Sequence, residues 1–233
     1  MAAQYGDFAH TSRSLRRAED ELFKEWRRRV TPFLPDGAGP RFAGASKRLL
    51  FVLKEGNDET GAWALSGGDL RDASRWRHDD PNARPTWHPL LRWASYILDR
   101  TEPQLITPKV WRSVLPRIAV VNVKKRPGGS VARAAAIRAT IKDAFYAQFL
   151  AQQLSYYRPH VTICGGDLVG ECIHELYGWR ESDWDRQLCS STDEIWFKRT
   201  RHLGLVMCFW HPATRRDVLP ILREVIDKLD PRS

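Results

Sequence analysis

Short apolar runs alternating with amphipathic stretches predict an α/β protein, a three-layer αβα sandwich around a central, mainly parallel sheet of about four to five strands. Three observations lead there. The runs 48–53, 118–123 and 160–164 have the length and aliphatic content of strands buried on both faces. Between them lie stretches whose apolar residues recur at helical spacing. The chain has 233 residues, 42% of them hydrophobic, enough for one core of this kind.

From Ser12 to Val30, the residues Leu15, Leu22, Phe23, Trp26 and Val30 share one helical face. Arg16, Arg17, Lys24, Arg27, Arg28 and Arg29 surround it, which predicts a basic amphipathic helix whose apolar face docks on the domain with modest DNA contact. The Pro- and Gly-rich stretch 32–44 leads to the first strand, so 1–44 reads as a helix and connector within a single domain spanning 1–233. After that strand, 54–84 holds Gly56, Gly61, Gly67 and Gly68 with no sustained period, and predicts a long functional loop. Leu90, Ala94, Ile97 and Leu98 mark a helix, and Ile137, Ile141, Phe145 and Phe149 a single long one. The third strand runs into Gly165-Gly166-Asp167, with Asp167 expected to cap a helix bearing Leu168, Cys172, Ile173 and Leu176. Apolar segments at 194–198 and 203–209 follow, and Val218, Ile221, Leu222, Val225, Ile226 and Leu229 keep the spacing of a closing helix.

Composition narrows the partners. Lys plus Arg number 37 against 28 Asp plus Glu, a balance of +9 that points to a polyanion. No stretch approaches the roughly 18 apolar residues of a membrane span, and 1–20 is charged throughout without the apolar run of a signal peptide. The expectation is an intracellular, cytoplasmic protein, associated with the nucleoid if bacterial, with no membrane partner. Cys164, Cys172, Cys189 and Cys208 match no C-x-x-C spacing, so they read as ordinary thiols rather than metal ligands. Ten tryptophans are many for this length, and those from Trp63 to Trp111 sit among Arg, His and Pro, which suggests that several lie at a surface.

In open α/β sheets, ligands bind beyond the carboxyl ends of the strands. Four segments fall there: Lys54-Glu55-Gly56-Asn57-Asp58, Asn122-Val123-Lys124-Lys125-Arg126-Pro127-Gly128-Gly129, Gly165-Gly166-Asp167 and His211-Pro212-Ala213-Thr214-Arg215-Arg216. Together they offer carboxylates, amides, a His and two basic clusters, an inventory for acid/base or electrostatic work on a phosphate-bearing substrate. Neither a P-loop nor a dinucleotide fingerprint occurs. Taken singly, Asn57 and Asp58 beside Gly56 are also good turn residues, and Lys124-Lys125-Arg126 also suits a solvated turn.

The order and spacing of these segments, over residues 47–220, resemble the uracil-DNA glycosylase superfamily. Asn122-Val123-Lys124-Lys125-Arg126-Pro127 is similar to the second-strand motif of its iron-sulfur branch, and His211-Pro212 to its late His-Pro-Ser motif. The resemblance implies that fold and a monofunctional, metal-free and cofactor-free DNA glycosylase, a monomer acting on duplex or single-stranded DNA. It would hydrolyse the N-glycosidic bond of a flipped-out uracil-like or modified pyrimidine, leaving an abasic site, in DNA repair or in defence against phage with modified bases. Glu55, Asn57 and Asp58 become candidates for positioning the hydrolytic water, and His211 for donating to the departing base. Asn122, Gly56 and a stacking Trp63 would form the base pocket, while Lys124, Lys125, Arg126, Gly165, Gly166, Arg215 and Arg216 would contact DNA. The sequence departs from the family in its first motif, which lacks the usual Gly and Pro, and in Ala213, which replaces Ser. Two alternatives stay open: a non-catalytic nucleic-acid-binding module on the same scaffold, and a metal-dependent nuclease using Glu55, Asp58 and Asp167.

Overall fold

The aliphatic runs become strands with almost no exposed residue, as runs without alternation must when helices cover both faces of a sheet. The computed structural model describes residues 11–56, 70–71, 84–128, 133–189 and 193–230. In chain order these form α1 (Ser12–Arg27), β1 (Gly37–Ala38), β2 (Leu49–Glu55), α2 (Arg84–Asp99), α3 (Pro108–Val114), β3 (Ile118–Lys124) and α4 (Ala134–Lys142). There follow α5 (Ala144–Tyr157), β4 (Val161–Gly165), α6 (Asp167–Leu176), β5 (Asp185–Leu188), β6 (Glu194–Thr200), β7 (Gly204–Phe209) and α7 (Leu219–Leu229).

The fold is α/β, with a mixed seven-stranded sheet in the order β1-β3-β2-β4-β7-β6-β5. Strands β3, β2, β4 and β7 run parallel, while β1 pairs antiparallel on β3 and the β5–β6 ribbon antiparallel on β7. The sheet is therefore wider and more mixed than the four to five strands expected. The added edges carry little sequence signal, since β1 is the dipeptide Gly37–Ala38 and β5 reads Asp-Arg-Gln-Leu, largely exposed. The short link 201–203 between β6 and β7 makes that pair a hairpin, which forces the antiparallel direction.

Side-chain alternation sorts the helices into two layers. Leu49, Phe51 and Leu53 of β2 pack with α2, α3 and α7 on one face. Leu50 and Val52 pack with α1, α4, α5 and α6 on the other, which gives the sandwich. Trp87, Trp93 and Trp111 are buried in the first core rather than at the surface, because their neighbours Leu90, Leu91, Ala94 and Ile97 make this stretch an interior helix face.

Two local readings change. The long helix expected across 137–149 breaks at Asp143, whose backbone is extended and whose side chain accepts from Tyr146 N at 3.0 Å, starting α5. Asp167 is the first residue of α6 rather than its cap. Gly166 holds the cap position with φ at 100°, a backbone that favours glycine. Among the described residues, no helix is long and apolar enough to cross a membrane.

Candidate active site

Parallel register fixes what meets at the carboxyl end of β2. Leu53 lies beside Asn122 of β3, and Glu55 beside Lys124, so these side chains share the face that carries α2, α3 and α7. Asn122 is 3% exposed, and its backbone N–H donates to Asp36 Oδ2 at 2.6 Å. One rung above, Lys124 Nζ is ion-paired with the buried carboxylate of Glu55 and reaches the Pro127 carbonyl at 3.5 Å. The following turn is pinned by Gly128 N donating to the Gly56 carbonyl at 2.9 Å. A Cβ on Gly128 would overlap the Glu55 carboxylate, so only glycine lets that carboxylate lie on the turn. Glu55, Gly56, Lys124 and Gly128 thus form one interlocked unit.

The other half of the candidate site is built around the two glycines at the end of β4. A Cβ on Gly165 would meet Leu53 Cδ2 at 2.8 Å and Pro212 Cδ at 3.4 Å, so this residue lets the ends of β2 and β7 close up. A Cβ on Gly166 would have Lys54 Cε and His211 Cβ at 3.7 and 3.8 Å, so both side chains lie against this glycine. Gly166 N also donates to the Phe209 carbonyl at 2.6 Å. In this position the two glycines act as spacers between strands.

His211 is half-buried, and its Nδ1 accepts from the Ala213 backbone N–H at 3.1 Å. Burial, helped by the charge of Lys54, pushes its pKa down from 6.5 to about 4. The imidazole is therefore neutral near pH 7, and because Nδ1 accepts, the proton sits on Nε2. The site presents a neutral N–H donor. The sequence puts Lys54 in the first of the four segments but gives it no role. The signal that would have found it is parity, since it follows Leu53 and points to the face opposite Glu55.

The basic cluster after β3 divides in a way the sequence did not anticipate. Lys125 is fully buried and cannot reach a phosphate, because its even spacing from Val121 and Val123 turns it into the second core. There its Nζ donates to Asp36 Oδ2 at 2.5 Å and lies 5.2 Å from the Trp26 ring centre. Lys124 is engaged by Glu55 instead of facing solvent alone. Arg126 is exposed, and so is Arg215, which forms no ion pair among the described residues. Arg216 grips Asp193 through two bonds of 2.9 and 2.5 Å and lies 5.2 Å from the Trp210 ring centre, so it is braced on the protein. Asn57, Asp58 and Trp63 lie outside the described residues. Asp167 sits at the first turn of α6, and among the described residues no three His, Cys, Asp or Glu side chains are grouped to hold a metal.

Behind this site lies a buried polar cluster that composition did not reveal. Asp36 Oδ2 accepts from Asn122 N and Lys125 Nζ, and its Oδ1 from Gln153 Nε2 at 2.8 Å. Glu19 Oε1 accepts from Ala38 N at 3.0 Å and from the Tyr157 hydroxyl at 2.8 Å, and that hydroxyl accepts from Gln153 at 2.9 Å. The Lys125 backbone N–H donates to the Tyr146 hydroxyl. Burial raises the pKa of Asp36, lowers that of Lys125, and pushes Glu19 up to about 7. Glu19 was legible as a lone acid on the apolar face of α1, four residues after Leu15 and three before Leu22.

No protein-family model matches the chain, and no match is found among curated proteins.

Proposed function

We propose that the protein is a monofunctional DNA glycosylase with a uracil-DNA glycosylase-like fold, acting on a uracil-like or modified pyrimidine turned out of the helix. One observation carries the reading. Glu55, Asn122 and a neutral, Nε2-protonated His211 come from different strands to the carboxyl end of one parallel set, where α/β proteins bind ligands.

Breaking an N-glycosidic bond leaves positive charge on the sugar and negative charge on the base. A neutral imidazole donates to the base anion as charge develops there, and pre-positioned donors of this kind are worth about 3 kcal/mol in related electrostatic sites. Asn122 has both a donor and an acceptor, so it can read the edge of a pyrimidine. Glu55 supplies a carboxylate that orients water, with Lys124 holding it in place. Extruding the base costs roughly a few kcal/mol, which contacts with backbone phosphates offset.

A non-catalytic nucleic-acid binder on the same scaffold is the second reading, favoured by the engagement of the Glu55 carboxylate by Lys124. The test uses end-labelled oligonucleotides carrying uracil, 5-hydroxymethyluracil, hypoxanthine, or hydroxymethylated or glucosylated cytosine, with EDTA present, followed by alkali. Cleavage at one base, lost in Asn122→Ala and His211→Ala, is the expected outcome. Intact strands throughout would overturn the glycosylase reading, in favour of the binder if the strands are bound, or of a nuclease if cutting appears on adding magnesium.

A further inference from the structure

Lys124 and Lys125, which the sequence assigns to phosphate contact, are consumed inside the protein, so the positive surface at this end of the sheet is left to Arg126 and its neighbours. It is found where α1 ends. Trp26, in the last turn of α1, is buried with its ring centre 4.9 Å from Tyr146, 5.7 Å from Phe149 and 5.7 Å from Phe33. Leu34 N donates to the Lys125 carbonyl at 2.7 Å, and Lys125 N to the Tyr146 hydroxyl. The end of α1, the start of α5 and the turn after β3 are therefore one block, at the same end of the sheet as Glu55 and Asn122.

Two arginines cap the row of rings on this block. The Arg29 guanidinium lies 4.3 Å from the Phe145 ring centre, and that of Arg27 lies 5.4 Å from Phe33. Arg126 is exposed on the adjoining turn, close enough for its charge to act on the Tyr146 hydroxyl. None of the three forms an ion pair among the described residues. The neighbouring Arg16, Arg17 and Arg28 are instead paired to Asp20, Glu21 and Glu25 at 3.3, 3.0 and 2.7 Å. A guanidinium laid on an aromatic face is held in orientation while its in-plane N–H groups stay free. That is the presentation a phosphate needs, and among the described residues no carboxylate is paired with these three.

We propose that Arg27, Arg29 and Arg126 form a phosphate-binding ridge that carries the backbone of the nucleic acid leading to the cleft, while Arg16, Arg17 and Arg28 contribute only general charge. The choice of nucleic acid as the polyanion rests on the glycosylase reading; the division between the two sets of arginines rests on geometry alone.

The test compares Arg27→Gln/Arg29→Gln/Arg126→Gln with Arg16→Gln/Arg17→Gln/Arg28→Gln, two full-length variants of equal net charge. Binding of a labelled single strand and duplex is followed by fluorescence anisotropy over a range of salt. At about 0.7 to 0.9 per phosphate contact, loss of the ridge should flatten the slope of log K against log salt by about 2 to 3, and weaken low-salt binding by about 10- to 100-fold. The control variant should bind within about 2-fold of the parent. The triple Arg→Lys variant keeps the charge, so it should recover most of the slope and separates lost contacts from lost folding. Equal losses in both Gln variants, or none in either, would overturn the ridge, as would a loss confined to phosphatidylserine vesicles with oligonucleotide binding intact. Base excision is read separately at saturating oligonucleotide. A ridge effect without excision removes only the glycosylase reading, and excision without a ridge effect removes only the ridge.

Discussion

Replacing Glu19 by Gln should stabilise the protein at neutral and alkaline pH, even though Glu19 sits inside a hydrogen-bonded cluster. The side chain is 1% exposed, and burial outweighs the bonds from Ala38 and Tyr157 and the charge of Arg71, so its pKa rises from 4.5 to about 7. Below pH 4.5 the carboxyl is protonated in both the folded and unfolded states, and folding is not penalised. Between 4.5 and about 7 the unfolded chain ionises while the folded one keeps its proton, so stability falls as pH rises; above about 7 the loss is complete. At about 1.4 kcal/mol per pH unit, that interval corresponds to about 3 kcal/mol. Gln retains an oxygen for the Ala38 and Tyr157 donors and has nothing to ionise. Urea unfolding of parent and variant, followed by tryptophan fluorescence from pH 4.5 to 8.5, isolates this term, because the other titrating groups cancel in the difference. The difference should grow in favour of Glu19→Gln by about 3 kcal/mol and level off above pH 7. A flat difference, or a variant less stable than the parent by more than about 1 kcal/mol at pH 8, would show that Glu19 is ionised and paired in the fold, and would refute the argument.

Other expectations follow from the same geometry. Asp36→Asn leaves Lys125 buried without its counter-charge and should cost about 3 to 5 kcal/mol in chemical unfolding at pH 7. Gly128→Ala forces the Glu55 carboxylate off the turn and away from Lys124, which should cost about 1 to 3 kcal/mol and, by oligonucleotide assay, remove base excision from a protein that still unfolds cooperatively. His211 should show neutral imidazole chemical shifts by NMR down to about pH 5; its depressed pKa removes stability as pH falls from 6.5 to about 4 and places no inflection in the excision rate above that window. The thiols of Cys164, Cys172 and Cys208 are buried or half-buried with raised pKa, the last two to about 11 and about 12, so Ellman's reagent should titrate them only on unfolding.

The parallel centre of the fold was legible because residues buried on both faces leave unbroken aliphatic runs, and the helices because their apolar faces repeat. The edges were not. Gly37–Ala38 is too short to carry a period, and β5 is polar because it needs to bury so little. The alternation of elements put the four segments at the carboxyl ends of the parallel strands, yet it could not say which side of the sheet each residue takes. Lys124 and Lys125 are neighbours in one basic run, and alternation alone sends the first to Glu55 and the second to Asp36 in the opposite core. A strand end reads as a charged turn in sequence, whereas in the structure Lys124 is still in register with Glu55 and Lys125 keeps the alternation one residue beyond the strand.

That alternation couples the N-terminal helix to the candidate site. Asp36 binds the backbone of Asn122 and the ammonium of Lys125 at once, so it fixes the last turns of β3 from the face opposite the cleft. Asp36 is held in turn by Gln153, which also bonds Tyr157, the donor to Glu19 of α1. On the cleft side, the same strand end is held by Lys124 on Glu55 and by Gly128 on Gly56. The end of β3 is thus clamped from both faces, by a wet-side ion pair at the mouth and a dry one behind it. On the proposed role of Asn122 in reading a base edge, that arrangement helps, because the penalty of ordering the residue is met when the protein folds and not when a ligand arrives. The basic helix, expected from its apolar face to dock on the domain, is on this account also part of what makes the site rigid.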